Sequence, residues 1–185
     1  PTDNIVYIGG ATATDIIGIQ SITSDAPLAF LLGETTVTWT AIDTHGNSAT
    51  ITQKVTVVDT TAPSITVPSD VVFEALGPTG NLIPIGDAIA DDIVGVSLIT
   101  NDSPSAFPLG DTIVTWTAID SAGNSASATQ KITVVDTTAP TIVAPEPVQA
   151  EATSAIENTI TLGQATAADF VGVQSITSDA PAVFP

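Results

Sequence analysis

Apolar and polar side chains alternate from Val114 to Ala118. Val114, Trp116 and Ala118 fall on one face and Thr115 and Thr117 on the other. The alternation returns near Lys131, where Ile132 and Val134 oppose Lys131 and Thr133. A period of two is that of a β-strand with one face against a core. Shorter apolar runs bounded by turn residues extend the pattern. They predict strands over 64–67, 71–75 beyond the break at Pro68, 82–89, 95–100, 112–119 and 127–135. Gly77-Pro78-Thr79-Gly80-Asn81 and Asp120-Ser121-Ala122-Gly123-Asn124 read as turns. No segment repeats its apolar positions at helical spacing. The expected fold class is all-β: small antiparallel β-sandwiches with no helix of note.

The pattern is periodic on a larger scale. Val58-Asp59-Thr60-Thr61-Ala62-Pro63 returns as Val135-Asp136-Thr137-Thr138-Ala139-Pro140, an offset of 77 residues. Trp39 returns as Trp116, and Asp15 as Asp92 and Asp169, without insertion or deletion. A fixed period of this length marks a tandem array. The division expected is a partial repeat over 1–62 lacking its first strand, a complete one over 63–139, and a partial one over 140–185 lacking its last strands. Partial repeats leave open sheet edges, so the expected partners are further copies of the repeat or of the same chain.

Composition narrows the function. The 185 residues include 20 acidic side chains but only two basic ones, Lys54 and Lys131, and no cysteine. Such a chain cannot neutralise a row of phosphates, which excludes nucleic acid as a partner. No apolar run approaches the ~20 residues of a membrane helix, so no membrane insertion is expected in this segment. Disulfides, thiolate metal sites and cysteine nucleophiles are excluded. The single histidine, His45, is replaced by Ala122 in the complete repeat and reads as a turn residue. No enzyme is expected, because the complete repeat holds no histidine, cysteine or arginine for a mixed acid, base and nucleophile.

The repeat resembles the HYR (hyalin repeat) domain, an immunoglobulin-like module of extracellular proteins. The resemblance rests on the Val-Asp-Thr-Thr-Ala-Pro junction, the run from Phe107 to Asp120, and the Ser121-Ala122-Gly123-Asn124 turn after it. The junction is also similar to those of large bacterial immunoglobulin-like adhesins, where such junctions can bind calcium. The resemblance implies an extracellular or cell-surface, multi-domain protein with an adhesive or structural role and no catalysis.

Topology places the acids without help from the family. In such a sandwich the second strand ends at the N-terminal pole, with Asp91 and Asp92. The hairpin before the last strand, Asp120 to Asn124, lies at the same pole, and Asp59 arrives there in the linker. Residues 63–139 hold one lysine against eight aspartates and one glutamate, a net charge of −8. Each close pair of carboxylates costs about 1 kcal/mol even in water. Calcium, which takes 6–8 oxygen ligands in loose geometry, would compensate them. The candidate ligands are Asp59, Asp91, Asp92, Asp120 and Asn124 at this junction, and Glu74, Asp136 and Asp169 at the next, where Ala168 stands in the place of Asp91. Aspartates at strand ends also cap backbone amides without any metal, and both readings stay open here.

Other candidates give way to plainer roles. Trp39 and Trp116 could stack on sugars, but they alternate in register with apolar neighbours and read as core. Lys54 and Lys131 face away from Val55 and Ile132, towards solvent, and are poorly placed for isopeptide bonds. Asn101-Asp102-Ser103 is a single glycosylation sequon, so glycans remain a possible partner. The leading function is a non-catalytic extracellular structural array, a stalk, fibre or surface-layer component stiffened by calcium at its junctions. The alternative is an adhesin that binds sugars or partner proteins through its repeats.

Overall fold

The structure is a computed structural model that describes residues 4–184. The described residues are all-β, with eleven strands and no helix. They are β1 (Ile19–Ser24), β2 (Gly33–Asp43), β3 (Ser48–Val57), β4 (Ser64–Thr66), β5 (Val71–Glu74), β6 (Ile89–Asp91), β7 (Val96–Asn101), β8 (Gly110–Asp120), β9 (Ser125–Val135), β10 (Thr141–Val143) and β11 (Thr166–Ala168). By spatial grouping the chain forms two compact units. One comprises Pro1–Thr66, Ile89–Thr100 and Thr117–Ser127, and the other Val67–Ala88, Asn101–Trp116 and Ala128–Pro185. The boundaries near residues 63 and 140 divide the chain by sequence period instead.

The period of 77 residues recurs in the structure. β1-β2-β3 form an antiparallel sheet whose strands are the sequence counterparts of β7-β8-β9. Three single bridges, Asn4 with Phe30, Asn81 with Phe107 and Asn158 with Phe184, stand at successive offsets of that length. The alternation expected around Trp116 holds. Val114, Trp116, Ala118, Ile132 and Val134 are all buried, while Lys131 pairs with Asp111 at 2.8 Å on the exposed face. Burial of Trp116 places it in the core, whereas its counterpart Trp39 is only half-buried beside Phe30, Val37 and Val55.

Two expectations need correction. The run 82–89 is not a strand: only Ile89–Asp91 pairs, antiparallel to Ser64–Thr66. Pro84 has no N–H to give a ladder, and Gly86 takes a φ of +79°. A Cβ at Gly86 would stand 3.2 Å from the Pro68 ring, so the close approach also requires glycine. Nor are all pairings antiparallel. Beyond Pro68 the first strand changes sheets, and β5 joins the outer side of β9 in parallel, Val71 beside Ile132 through Glu74 beside Val135. The order of that sheet is β5-β9-β8-β7.

The segment 82–88, which has no ladder, is held to the sheet by one side chain. Gln130, fully buried, accepts a hydrogen bond from the Trp116 indole N–H at 3.1 Å. Its amide nitrogen donates to the carbonyls of Ser69 at 2.8 Å and Ile85 at 3.0 Å. A polar residue on the inward face of β9 thus holds two irregular segments against the sheet.

Candidate metal centre

Three loops supply the site, and each is shaped by a local hydrogen bond. In the β6–β7 turn, Asp92 Oδ1 accepts from the Val94 amide at 2.8 Å, and Gly95 turns the chain with a φ of +93°. In the β8–β9 hairpin, Asp120 Oδ1 accepts from the amides of Ala122 and Asn124, both at 2.8 Å. In the linker after β3, Asp59 Oδ1 accepts from the Thr61 amide at 3.1 Å. Ser121 ties two of these loops together, donating its N–H and its hydroxyl to the Gly95 carbonyl at 2.9 and 3.1 Å.

The loops bring one carboxylate oxygen each from Asp59, Asp92 and Asp120 within 4.8 Å of one another. Asp120 is buried and the other two are half-buried. Burial works to raise the Asp120 pKa. The hydrogen bonds from the Asn124 side chain and from the Asn124, Ala122 and Gly123 backbone outweigh it and hold the carboxyl below its ordinary value. Asp120 is therefore ionised at neutral pH, close to two other acids.

Asn124 meets the cluster through its amide nitrogen. It donates to Asp120 Oδ2 at 2.8 Å, to the Asp59 carbonyl at 3.2 Å and to Asp59 Oδ2 at 3.4 Å. In this arrangement it is a neutral bridge between two carboxylates, and a cation would compete with it for the same oxygens. The donor set fits calcium, since every available ligand atom is a hard oxygen.

The other candidates lie elsewhere. Asp91 is the last residue of β6, and its side chain is exposed and outside the cluster. Asp92 follows β6 in the turn, and its carboxylate, not that of Asp91, joins the cluster. Glu74, at the end of β5, reaches the following linker as the sequence led one to expect, but its partners there are Thr137 and Thr138. Both carboxylate oxygens are used: Oε1 accepts from the Thr137 and Thr138 amides and the Thr138 hydroxyl, and Oε2 from the Thr137 hydroxyl, at 2.8–3.1 Å. Asp136 Oδ1 accepts from the Thr138 amide at 3.3 Å, and Asp169 Oδ1 from the Val171 and Gly172 amides at 2.8 and 3.0 Å. Among the described residues, only Asp59, Asp92 and Asp120 form a three-carboxylate group.

The linker clamp has a pH signature. Hydrogen bonds from the Thr137 amide, then from the Thr138 and Thr137 hydroxyls, lower the Glu74 pKa. A carboxyl lowered in the folded state stabilises it above the unfolded value of 4.5 and loses that contribution as pH falls through the lower folded value. Melting curves of the wild type and of Glu74→Ala should therefore differ at pH 7 and converge below pH 4.5. A difference that persists unchanged at acid pH would mean that Glu74 acts by packing alone.

Sequence reasoning missed the buried amides. Gln130 lies at an inward position of a strand that otherwise alternates cleanly, and a polar residue there is the one signal of it. Asn81 looked like a turn residue. Its side chain is buried and accepts the Leu76 amide at 2.9 Å while donating to the Phe107 carbonyl at 3.1 Å.

The HYR domain family matches residues 58–134. This segment is a HYR domain. Its span opens at the Val-Asp-Thr-Thr-Ala-Pro junction and closes in β9, so it holds all three carboxylates of the cluster. The chain is also 40% identical over 154 residues to hyalin of Lytechinus variegatus, an alignment covering 76% of this chain and 29% of that protein. It is 39% identical over 153 residues to hyalin of Strongylocentrotus purpuratus, covering 76% of this chain and 13% of that protein. The chain thus matches less than a third of the length of either relative, and its similarity to them extends well beyond the HYR segment. Among the described residues no helix is long and apolar enough to cross a membrane.

Proposed function

We propose that this chain is a segment of a non-catalytic, extracellular or cell-surface structural array of HYR repeats, stiffened by calcium at its junctions. The observation that carries the reading is the convergence of Asp59, Asp92 and Asp120 from a linker, a turn and a hairpin. A cation there ties the linker to the two loops of the following repeat. The hyalin relatives support an array, since this chain corresponds to a part of each. Without cation, mutual repulsion loosens the junction, and Asn124 is the neutral bridge between the Asp59 and Asp120 carboxylates. With calcium, binding to the ordered junction stabilises it by mass action, by about 1.4 kcal/mol at ten times the dissociation constant. Extracellular modules bind in the ~10⁻⁴–10⁻³ M range, and this site is expected there.

Asp92→Asn separates the metal from the turn. The amide oxygen still accepts from the Val94 N–H, but a charged ligand is lost. In chelator the variant should melt at or above the wild type, because repulsion falls. In millimolar calcium it should lose most of the wild type's rise in melting temperature. Asn124→Asp should act oppositely, lowering stability in chelator and increasing the response to calcium. Thermal melts with and without chelator decide the matter. A wild type indifferent to calcium would make the aspartates turn caps only.

The adhesin reading has a narrower footing: Tyr7 and Phe170 are 93% and 73% exposed. Glycan arrays probed with the wild type and with Tyr7→Ala and Phe170→Ala would reveal aromatic platforms if they bind.

A further inference from the structure

One loop of the complete repeat departs from both its neighbours at two positions together. Ser24-Asp25-Ala26-Pro27 and Ser178-Asp179-Ala180-Pro181 agree with each other, but the corresponding stretch reads Asn101-Asp102-Ser103-Pro104. The two changes supply the two residues that an asparagine-linked glycosylation sequon requires, and either alone would leave none. The fold does not ask for them, because the central aspartate holds the loop. Asp25 Oδ1 accepts from the Thr38 amide at 2.7 Å, and the Asp25 amide donates to the Thr38 carbonyl at 3.2 Å. Asp102 does the same with Thr115, at 2.6 and 3.2 Å. The first repeat therefore builds this loop with Ser24 and Ala26. Asn101 Oδ1 also accepts from the Ser103 amide at 3.0 Å, but Ser178 Oγ accepts from the Ala180 amide in the same way at 3.1 Å. A serine thus suffices for the turn. What the complete repeat gains is a carboxamide nitrogen and, two residues on, a hydroxyl.

Asn101 is exposed and is the last residue of β7, an outermost strand of the sheet β5-β9-β8-β7. A bulky substituent there meets solvent rather than core. We propose that Asn101 carries an N-linked glycan, attached while the chain is exported. The proposal rests on the extracellular reading above and not on calcium. In the transfer, Asn101 Nδ2 attacks the anomeric carbon of a lipid-linked oligosaccharide. A bond from Nδ2 to that carbon forms, the bond from the carbon to the lipid phosphate oxygen breaks, the lipid phosphate departs, and Nδ2 gives up one proton to the transferase. The glycan then stands beside the outer edge of β7 and hinders another strand from pairing with it. Pro104 holds Ser103 to extended backbone, so the transferase meets a restricted acceptor and a fraction of chains leaves unmodified.

The full 185-residue chain can be sent through the secretory pathway of a eukaryotic host behind a cleavable leader. It should emerge as two species, one heavier by a glycan. An amidase that cleaves asparagine-linked sugars should merge them and leave aspartate at position 101, found by peptide mass mapping. Asn101→Gln and Ser103→Ala should each lose the heavier species while melting with the unmodified wild type, since the Asp102 bonds remain. Ser103→Thr and Pro104→Ala should each shift the population towards the heavier species. Ser24→Asn together with Ala26→Ser should add a second step in mass, because the first repeat builds the same loop. A wild type that emerges only in the lighter form would overturn the proposal, and so would a heavier species that survives Asn101→Gln. The leader supplies the export, so either result condemns the site alone and leaves the array reading to its own melts in calcium.

Discussion

Gln130→Leu should unfold more easily than the wild type by about 4 kcal/mol, although leucine nearly matches glutamine in volume. The substitution strands three buried groups at once: the Trp116 indole N–H and the carbonyls of Ser69 and Ile85. Each buried polar group without a partner costs about 1–3 kcal/mol, and the apolar leucine recovers only part of the sum. A domain of this size is stable by about 4–12 kcal/mol, so the loss threatens its folding. The chain provides its own control. Gln53, the counterpart in the sheet of β3, is half-buried, and among the described residues it accepts from the Trp39 indole at 2.9 Å and donates to the Ile8 carbonyl at 3.1 Å. Gln53→Leu should cost less than half as much. Urea denaturation gives the free energies, and hydrogen exchange of the two indole N–H groups assigns them. Equal costs at the two positions would mean that the Gln130 bond to the Ser69 carbonyl contributes nothing.

The same residues mark how far the sequence could be read. Alternation at Val114, Trp116, Ala118, Ile132 and Val134 made strands, faces and core legible, because a period of two has one structural meaning when one face is buried. The convergence of Asp59, Asp92 and Asp120 was legible too, because connectivity fixes which loops share a pole. Choosing between Asp91 and Asp92 was not, since that depends on where β6 ends relative to Ser64, a one-residue matter of register. The run 82–88 looked like a strand because its composition is apolar. What holds it is a side-chain amide from β9, a long-range partner that local pattern does not reveal. Asn124 could be placed in the junction from sequence, but not the direction of its amide. That direction decides whether it bridges carboxylates or ligates a cation.

Asn81→Ala should cost about 3 kcal/mol, a large effect for a residue the sequence assigns to a turn. Asn81 is 1% exposed, and its side chain is used at both ends. Its oxygen accepts from the Leu76 amide at 2.9 Å, and its nitrogen donates to the carbonyls of Phe107 at 3.1 Å and Gly77 at 3.4 Å. Its backbone carbonyl receives the Phe107 amide at 2.9 Å. The residue thus closes the loop that follows β5 and fixes Phe107, itself buried, beneath it. Alanine leaves the Leu76 amide and the Phe107 carbonyl without partners, at about 1–3 kcal/mol each. Asn158 repeats the arrangement, accepting from the Thr153 amide at 2.9 Å and donating to the Phe184 carbonyl at 3.4 Å, so a knot of this kind belongs to the repeat rather than to one site. Asn81→Asp sharpens the test. The carboxylate still accepts from Leu76, but at neutral pH it presents negative charge to two carbonyl oxygens. On protonation it regains a single O–H donor. The Asp variant should therefore be less stable than the wild type at pH 7 and recover part of the difference as the pH falls through its own pKa, which burial and the facing carbonyls raise. Denaturation curves of both variants across pH provide the check. If Asn81→Ala is near neutral, or Asn81→Asp shows no acid recovery, the amide is a passive filler and the loop is held by Phe107 alone.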